Sequence, residues 1–140
     1  MTRELIVEAD GGSRGNPGPA AGGAVVIDPA SGEVIAEVGV WVGTATNNVA
    51  EYSGMLAGVR RALEIAPDAT LTVHLDSKLV VEQMMGRWKI KHPAMAELAA
   101  EARQVLSGTP VRFTWVPRLQ NARADACANE SMDRKASFSR

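Results

Sequence analysis

VEADGGSRGNPGPAAGGAVV, residues 7–26, sets the fold. An apolar run ends in a carboxylate at Asp10, crosses a segment of glycine, serine, arginine, asparagine and two prolines, and turns apolar again. With the residues before it, ELIVEA (4–9) reads as a β-strand and GGAVVIDP (22–29) as its return. A third strand, GEVIAEVGVWVG (32–43), follows a turn made of Asp28, Pro29, Ser31 and Gly32, so the chain opens as a three-strand antiparallel meander. In the first connection Gly11, Gly12 and Gly15 permit close backbone approach, Pro17 and Pro19 stiffen the loop, and Ser13 and Asn16 offer polar contacts.

Beyond the meander the apolar period lengthens. In NNVAEYSGMLAGVRRALEIAP (47–67), Tyr52, Met55, Leu56, Val59, Leu63 and Ala66 recur at three- and four-residue spacing. That predicts a helix capped by Asn47 or Asn48 and ending before Pro67. Glu51 falls in its first turn, on an inward face continued by Met55, Gly58 and Ala62, mostly small residues that let a helix lie close to a sheet. ATLTVHLD (69–76) alternates, with Leu71, Val73 and Leu75 on one side and Thr72, His74 and Asp76 on the other. It is a second strand that finishes in an acid.

SKLVVEQMMG (77–86) and HPAMAELAAEARQVLSG (92–108) predict two helices, with Pro93 suited to the first turn of the second and Gly108 to its exit. VRFTWVP (111–117) predicts a fifth strand, and NARADACANESMD (121–133) a helix starting at Asn121 with Asp125 in its first or second turn. The order βββαβααβα predicts an α/β fold, a five-stranded mixed sheet flanked by helices whose crossovers are right-handed. Residues 1–140 are expected to form a single domain, ordered to about residue 133, with 134–140 as a flexible tail.

At 140 residues and 46% hydrophobic, the chain can bury roughly two thirds of its unfolded surface in one domain. No stretch approaches the roughly 20 continuous apolar residues of a membrane span, and the apolar run in MTRELIVEADGG is too short and too acidic for a signal peptide. A cytoplasmic protein with no membrane partner is expected. A single cysteine, Cys127, cannot form an internal disulfide, and two histidines with one thiol make a poor zinc set, so any metal would take oxygen ligands. A net charge of −1 excludes the strongly basic domains in which charge alone argues for nucleic acid. The cations gather locally, at GRWKIKH (86–92), at Arg112, Arg118 and Arg123, and in DRKASFSR (133–140), where a solvated face and a loose tail are the plain alternative to binding.

Among 16 Asp and Glu residues, most carboxylates are solvated surface groups. Position singles out four. Asp10 and Asp76 each end an apolar strand, and Glu51 and Asp125 each sit early in a helix that follows a loop. If the two strands are neighbours, all four converge. Like charges packed together raise one another's pKa, and burial adds a desolvation cost, so a cation belongs between them. Hard divalent ions such as Mg²⁺ take carboxylate and phosphate oxygens and keep waters, which fits a donor set without a His or Cys cluster. An open all-carboxylate site suits in-line phosphoryl displacement assisted by two metals.

ADGGSRGNPGPAAGGAVV (9–26), TATNNVAEY (44–52), VHLDSKLVVEQMMGRWK (73–89) and NARADACAN (121–129) together resemble the ribonuclease H type 1 family, in order and spacing and across nearly the whole chain. The compact bacterial and archaeal forms are the most similar. The resemblance implies an RNase H-like fold, with the family's four catalytic, metal-holding acids at Asp10, Glu51, Asp76 and Asp125. It implies endonucleolytic cleavage of the RNA strand of an RNA/DNA hybrid with two Mg²⁺, or Mn²⁺, leaving a 5′-phosphate and a 3′-hydroxyl, by a monomer with no obligate protein partner.

The opening loop, through Gly12, Ser13 and Asn16, together with Asn47, Asn48 and Lys78, is implied to read the minor groove, where 2′-hydroxyls distinguish RNA from DNA. Thr46 and Asn47 are implied to form a pocket for a DNA-strand phosphate; capping of the helix is the structural alternative, and the two are compatible. Trp88 is placed to stack on a sugar or base, or else to close an edge of the core.

Two features depart from the family pattern. The loop after the last strand, VPRLQNARAD, lacks the histidine that members often carry there, and Arg118 substitutes only electrostatically because a guanidinium does not deprotonate. No long basic insertion follows the second helix, which predicts fewer phosphate contacts and a shallow salt dependence. A nucleotide-binding loop is excluded by the missing Gly-Lys-Ser/Thr ending and G-x-G-x-x-G spacing. A catalytically weak RNase H-like binding module, or a related nuclease acting on another duplex, remains as the alternative function.

Overall fold

The computed structural model describes residues 3–140; Met1 and Thr2, the start of the expected 1–140 domain, lie outside the described residues. Strands β1 (Glu4–Ser13), β2 (Gly18–Ile27) and β3 (Val34–Ala45) form the antiparallel meander, and α1 (Asn47–Ile65) follows. Then come β4 (Thr70–Leu75), α2 (Lys78–Met84), α3 (Pro93–Val105), β5 (Val111–Trp115), a 3₁₀ turn at Arg118–Asn121, α4 (Ala122–Arg134) and β6 (Phe138–Ser139). One mixed sheet runs in the order β5-β4-β1-β2-β3-β6, with β4 parallel to both β1 and β5. The segment from α2 to α3 is short, with no inserted protrusion.

The sheet has six strands rather than the five predicted. The extra strand lies within 134–140, the stretch expected to be a tail. Lys135 adopts the left-handed conformation (φ 51°) that ends α4 and reverses the chain. Phe138 then packs on Gly39, where an added Cβ would lie 2.3 Å from the ring. The Arg140 guanidinium bonds Glu37 at 3.0 Å and Glu130 at 2.7 and 2.8 Å. A two-residue strand within a polar, basic stretch carries no alternation to read, which is why periodicity missed it.

β1 also runs further than expected. Its parallel pairing with β4 ends at Ala9↔Leu75, while its antiparallel pairing with β2 continues through Asp10↔Gly23 to Ser13↔Ala20. Asp10 therefore stands at a fork where β1 leaves β4, and Asp76 is the next residue on the other branch.

One sheet face carries Leu5, Val7, Ala9, Leu71, Val73 and Leu75 against Tyr52, Met55 and Val59 of α1 and the apolar side of α3. Full burial of each large apolar side chain contributes about 1.5–3 kcal/mol. The opposite face, covered by α4, holds Val25 and Ile27 against Cys127, and Ala21 against Ala128 and Met132. Helix α1 lies close on β1 and β2 because the contact is backbone on backbone. A Cβ on Gly11 would sit 2.2 Å from the Ala50 carbonyl carbon, and one on Gly54 would sit 2.3 Å from the Asp10 carbonyl oxygen. Any larger residue at either point would push the helix off the sheet.

Candidate active site

The fork between β1 and β4 opens into a cleft of about 610 Å³. Asp10 reaches it from β1, Asp76 from the end of β4, Glu51 from the second turn of α1 and Asp125 from the first turn of α4. One carboxylate oxygen each from Asp10, Glu51 and Asp76 lies within 4.8 Å of the other two. Asp125 lines the same cleft and touches Asp10, and is held by Asn129, one turn along α4, whose Nδ2 donates to Asp125 Oδ2 at 3.2 Å. The strands are neighbours, as the convergence of the four acids requires.

The Gly11 amide donates to Asp10 Oδ1 at 2.8 Å and to Glu51 Oε1 at 3.3 Å, tying β1 to α1 at the centre of the site. Asp10 and Glu51 are both buried. Burial, then contact with Asp10 and the charges of Asp10 and Asp76, pushes the Glu51 carboxyl up to about 11. Burial likewise pushes Asp10 up to about 6, with the Asp76 charge adding to it, although contact with Glu51 and the Gly11 amide act the other way. Glu51 Oε2 and Asp76 Oδ1 are buried without a hydrogen-bond partner. Orphaned acceptors of like charge at this spacing fit a divalent cation with oxygen ligands, since a cation satisfies both oxygens and relieves the repulsion.

Around the acids, the chain ties its loops together with short polar side chains. Asn47 Oδ1 accepts from the Ser13 amide at 2.8 Å, Asn16 Oδ1 accepts from the Asn47 amide at 3.0 Å, and Ser13 Oγ donates to the Ala45 carbonyl at 2.7 Å. The cap of α1 is Thr46, whose Oγ1 accepts from the Val49 amide at 3.3 Å, rather than the Asn47 or Asn48 predicted, because Asn47 is already committed to β1. Gly12, Ser13, Asn47, Asn48 and Arg118 line the cleft with the acids. Asn16 and Thr46 support its wall through these bonds.

Lys78 and Trp88 do not line the cleft. Lys78, the first residue of α2, lines a separate groove, and Trp88 is 46% exposed in the segment after α2, so the indole does not close the core. That segment is anchored by Gln83, which accepts from the buried Tyr52 hydroxyl at 2.7 Å and donates to the Lys89 carbonyl at 3.0 Å. The cleft is also lined by Gly11, Arg14, Ser77, Asn129 and Met132, which are outside the predicted set, and Trp115 supports it from outside. Asn129 was legible in principle, four residues after Asp125 on one helix face. Trp115, whose indole Nε1 donates to the Asp76 carbonyl at 3.1 Å, ends a strand and gives no such signal.

Fold and site define an α/β protein that gathers an oxygen-only acidic cluster where two parallel strands part. A family model described as reverse transcriptase-like matches residues 8–131. A bifunctional protein of Mycobacterium tuberculosis is 48% identical over 134 residues, which are 95% of this chain and 36% of that protein, so the chain spans about a third of that relative's length. The solved N-terminal RNase H domain of a Mycobacterium tuberculosis protein superposes with a TM-score of 0.89 at 48% identity, covering 96% of both chains. LC11-RNase H1, solved in complex with RNA/DNA hybrid, has a TM-score of 0.87 at 35% identity, covering 94% of this chain and 98% of that one. The chain belongs to the ribonuclease H type 1 family, within the reverse transcriptase-like group. Among the described residues no helix is long and apolar enough to cross a membrane.

Proposed function

We propose that this chain is a metal-dependent endoribonuclease that hydrolyses the RNA strand of RNA/DNA hybrids, leaving a 5′-phosphate and a 3′-hydroxyl. The observation that carries this is the acidic cluster, three carboxylates with oxygens within 4.8 Å of one another and two buried oxygens lacking any partner. The hybrid bound to LC11-RNase H1 supports the choice of substrate. Asp10, Glu51, Asp76 and Asp125 hold two Mg²⁺, with Mn²⁺ as the alternative ion. When bound, these ions supply a nucleophile from water at neutral pH and stabilise the departing oxygen.

The protein's own groups position the hybrid. Ser13, Asn47 and Asn48 line the cleft, and the Asn16 and Asn47 Oδ1 atoms are committed internally, which leaves their Nδ2 amides to donate to the minor groove. The backbone at Gly12 allows close approach of the duplex, Thr46 and Asn47 at the start of α1 meet a DNA-strand phosphate, and Trp88 stacks beside it. Lys78 reads the minor groove with Asn16 and Asn47, and Arg118, which lines the cleft, contributes positive charge. The unit acts as a single monomeric domain in the cytoplasm, without an obligate protein partner.

The test compares wild type with Asp76→Asn on matched RNA/DNA, RNA/RNA and DNA/DNA duplexes, with Mg²⁺ and with chelator. Mg²⁺-dependent cleavage of the hybrid alone, lost in the variant, is the expected result. Hybrid binding without cleavage would instead mark a binding module, and cleavage of another duplex a related nuclease.

A further inference from the structure

The structure holds a second groove, of about 580 Å³, on the side of α2 that faces β5. Its floor is apolar, built from Val81, Met85, Phe113 and Trp115. Its rim is basic: Lys78, Arg87 and Arg112 stand against Glu82 as the one acid. Arg87 is engaged by Glu82, whereas among the described residues Lys78 and Arg112 form no ion pair. Met85 is 45% and Trp115 51% exposed, so large apolar surface faces solvent in the groove that Lys78 and Arg112 also line. β5 is the terminal strand of the sheet.

The groove is separate from the acidic cleft but begins at the next residue along the chain. Asp76 and Ser77 line the cleft, and Lys78 begins the groove. The Trp115 indole joins the two, donating to the Asp76 carbonyl at 3.1 Å from a ring that is half in solvent. A flat π face flanked by cations, beside the point where a strand would be cut, matches the way proteins hold unpaired nucleotides, by stacking bases and neutralising phosphates. A small-ligand pocket runs from roughly 300 Å³ upward, so a groove of this size takes one or two nucleotides.

We propose that the α2–β5 groove is a subsite for unpaired nucleotides of a single-stranded extension that continues from the hybrid beyond the cleft. Trp115 stacks on a base, Arg112 and Lys78 meet its phosphates, and Met85 and Val81 form the apolar floor. This inference rests on the proposed hybrid substrate. It gives the enzyme a preference for junctions between hybrid and single strand over blunt duplexes.

The experiment measures, in Ca²⁺ to suppress cleavage, the affinity of wild type and of Arg112→Glu and Met85→Glu for a blunt hybrid and for the same hybrid carrying an unpaired RNA extension at either end. One stacked base predicts about tenfold tighter binding of an extended hybrid by wild type. Each phosphate contact steepens the salt slope by about one. Both gains are expected to fall toward nothing in Arg112→Glu, and the affinity gain to shrink in Met85→Glu, each judged as the ratio of extended to blunt within one variant. The indole N–H signal of Trp115, assigned with Trp115→Phe, is expected to shift when a short oligouridylate is added and not with an acidic, apolar peptide.

Equal affinity of wild type for blunt and extended hybrids overturns the proposal while leaving hybrid recognition intact. A gain that survives in Arg112→Glu also overturns it, and a Trp115 shift produced by the peptide alone would make the groove a protein-docking surface instead. Failure to bind either hybrid would refute the underlying functional reading.

Discussion

The two ends of α4 carry carboxylates that the protein treats in opposite ways. At the first turn, Asp125 faces Asp10, Glu51 and Asp76 across a cleft in which two carboxylate oxygens are buried without a partner. Further along, Glu130 is gripped by Arg134 at 2.7 Å and by Arg140, and Asp133 is paired with Arg14 at 2.7 Å. Arg140 also reaches Glu37 and stands 4.5 Å over the Phe138 ring. Both ends are acidic, but only one is neutralised by its own chain. Charges left uncompensated inside a folded protein are costly, and they persist where an external partner completes them. The contrast separates a site built to hold something from a clasp built to close the sheet.

The largest expected effect tests that separation directly. Asp10→Asn should lower Mg²⁺-dependent hybrid cleavage by about 10³-fold or more, whereas Glu130→Gln should leave the rate per folded molecule near wild type. Steady-state assays on one labelled hybrid check both. Next, Asn129→Ala frees the Asp125 carboxylate from its tether and should cost about 10-fold in kcat with little change in KM, the behaviour of a residue that orients a metal ligand.

The same contrast predicts opposite effects on stability. An acid whose folded pKa lies above its unfolded one binds its proton more tightly in the native state, so native stability falls as pH rises between the two values. Asp10 acts between 3.8 and about 6, and Glu51 from 4.5 toward about 11. In chelator, the thermal midpoint should therefore fall as pH rises from about 5 to about 9. Glu51→Gln should flatten that slope, and millimolar Mg²⁺ should reverse it. Calorimetry across pH measures all three.

At the other end, Phe138→Ala should destabilise by about 1–2 kcal/mol, less than a fully buried phenylalanine because the ring is half-buried, without changing kcat. Arg140→Ala should lower the midpoint in low salt and lose that effect in high salt. The smallest expected signal is chemical. Cys127 is buried, and burial pushes its thiol up to about 11, so a disulfide reagent should modify it only as fast as the protein opens.

The sequence made the four acids legible because each marks a boundary. Asp10 and Asp76 interrupt apolar strands, and Glu51 and Asp125 interrupt the start of helices, so period and position flagged them before any geometry existed. What stayed hidden depended on contacts rather than period. That Thr46 caps α1 follows from Asn47 being recruited by Ser13, 34 positions earlier in the chain. The sixth strand follows from a ring meeting a glycine surface on β3. Trp115 follows from parallel pairing that brings Leu75 beside it, and none of these relations has a local signature.

The backbone contacts at Gly11 and Gly54 bear on how such a protein can be re-engineered. With α1 resting directly on β1, the gap between the two main chains is already at its minimum and cannot be tuned by trimming a neighbour. The spacing between the Asp10 and Glu51 carboxylates is then adjusted through side-chain reach alone. Exchanging aspartate for glutamate at position 10, or the reverse at position 51, moves a carboxylate by one methylene while the two main chains stay where they are.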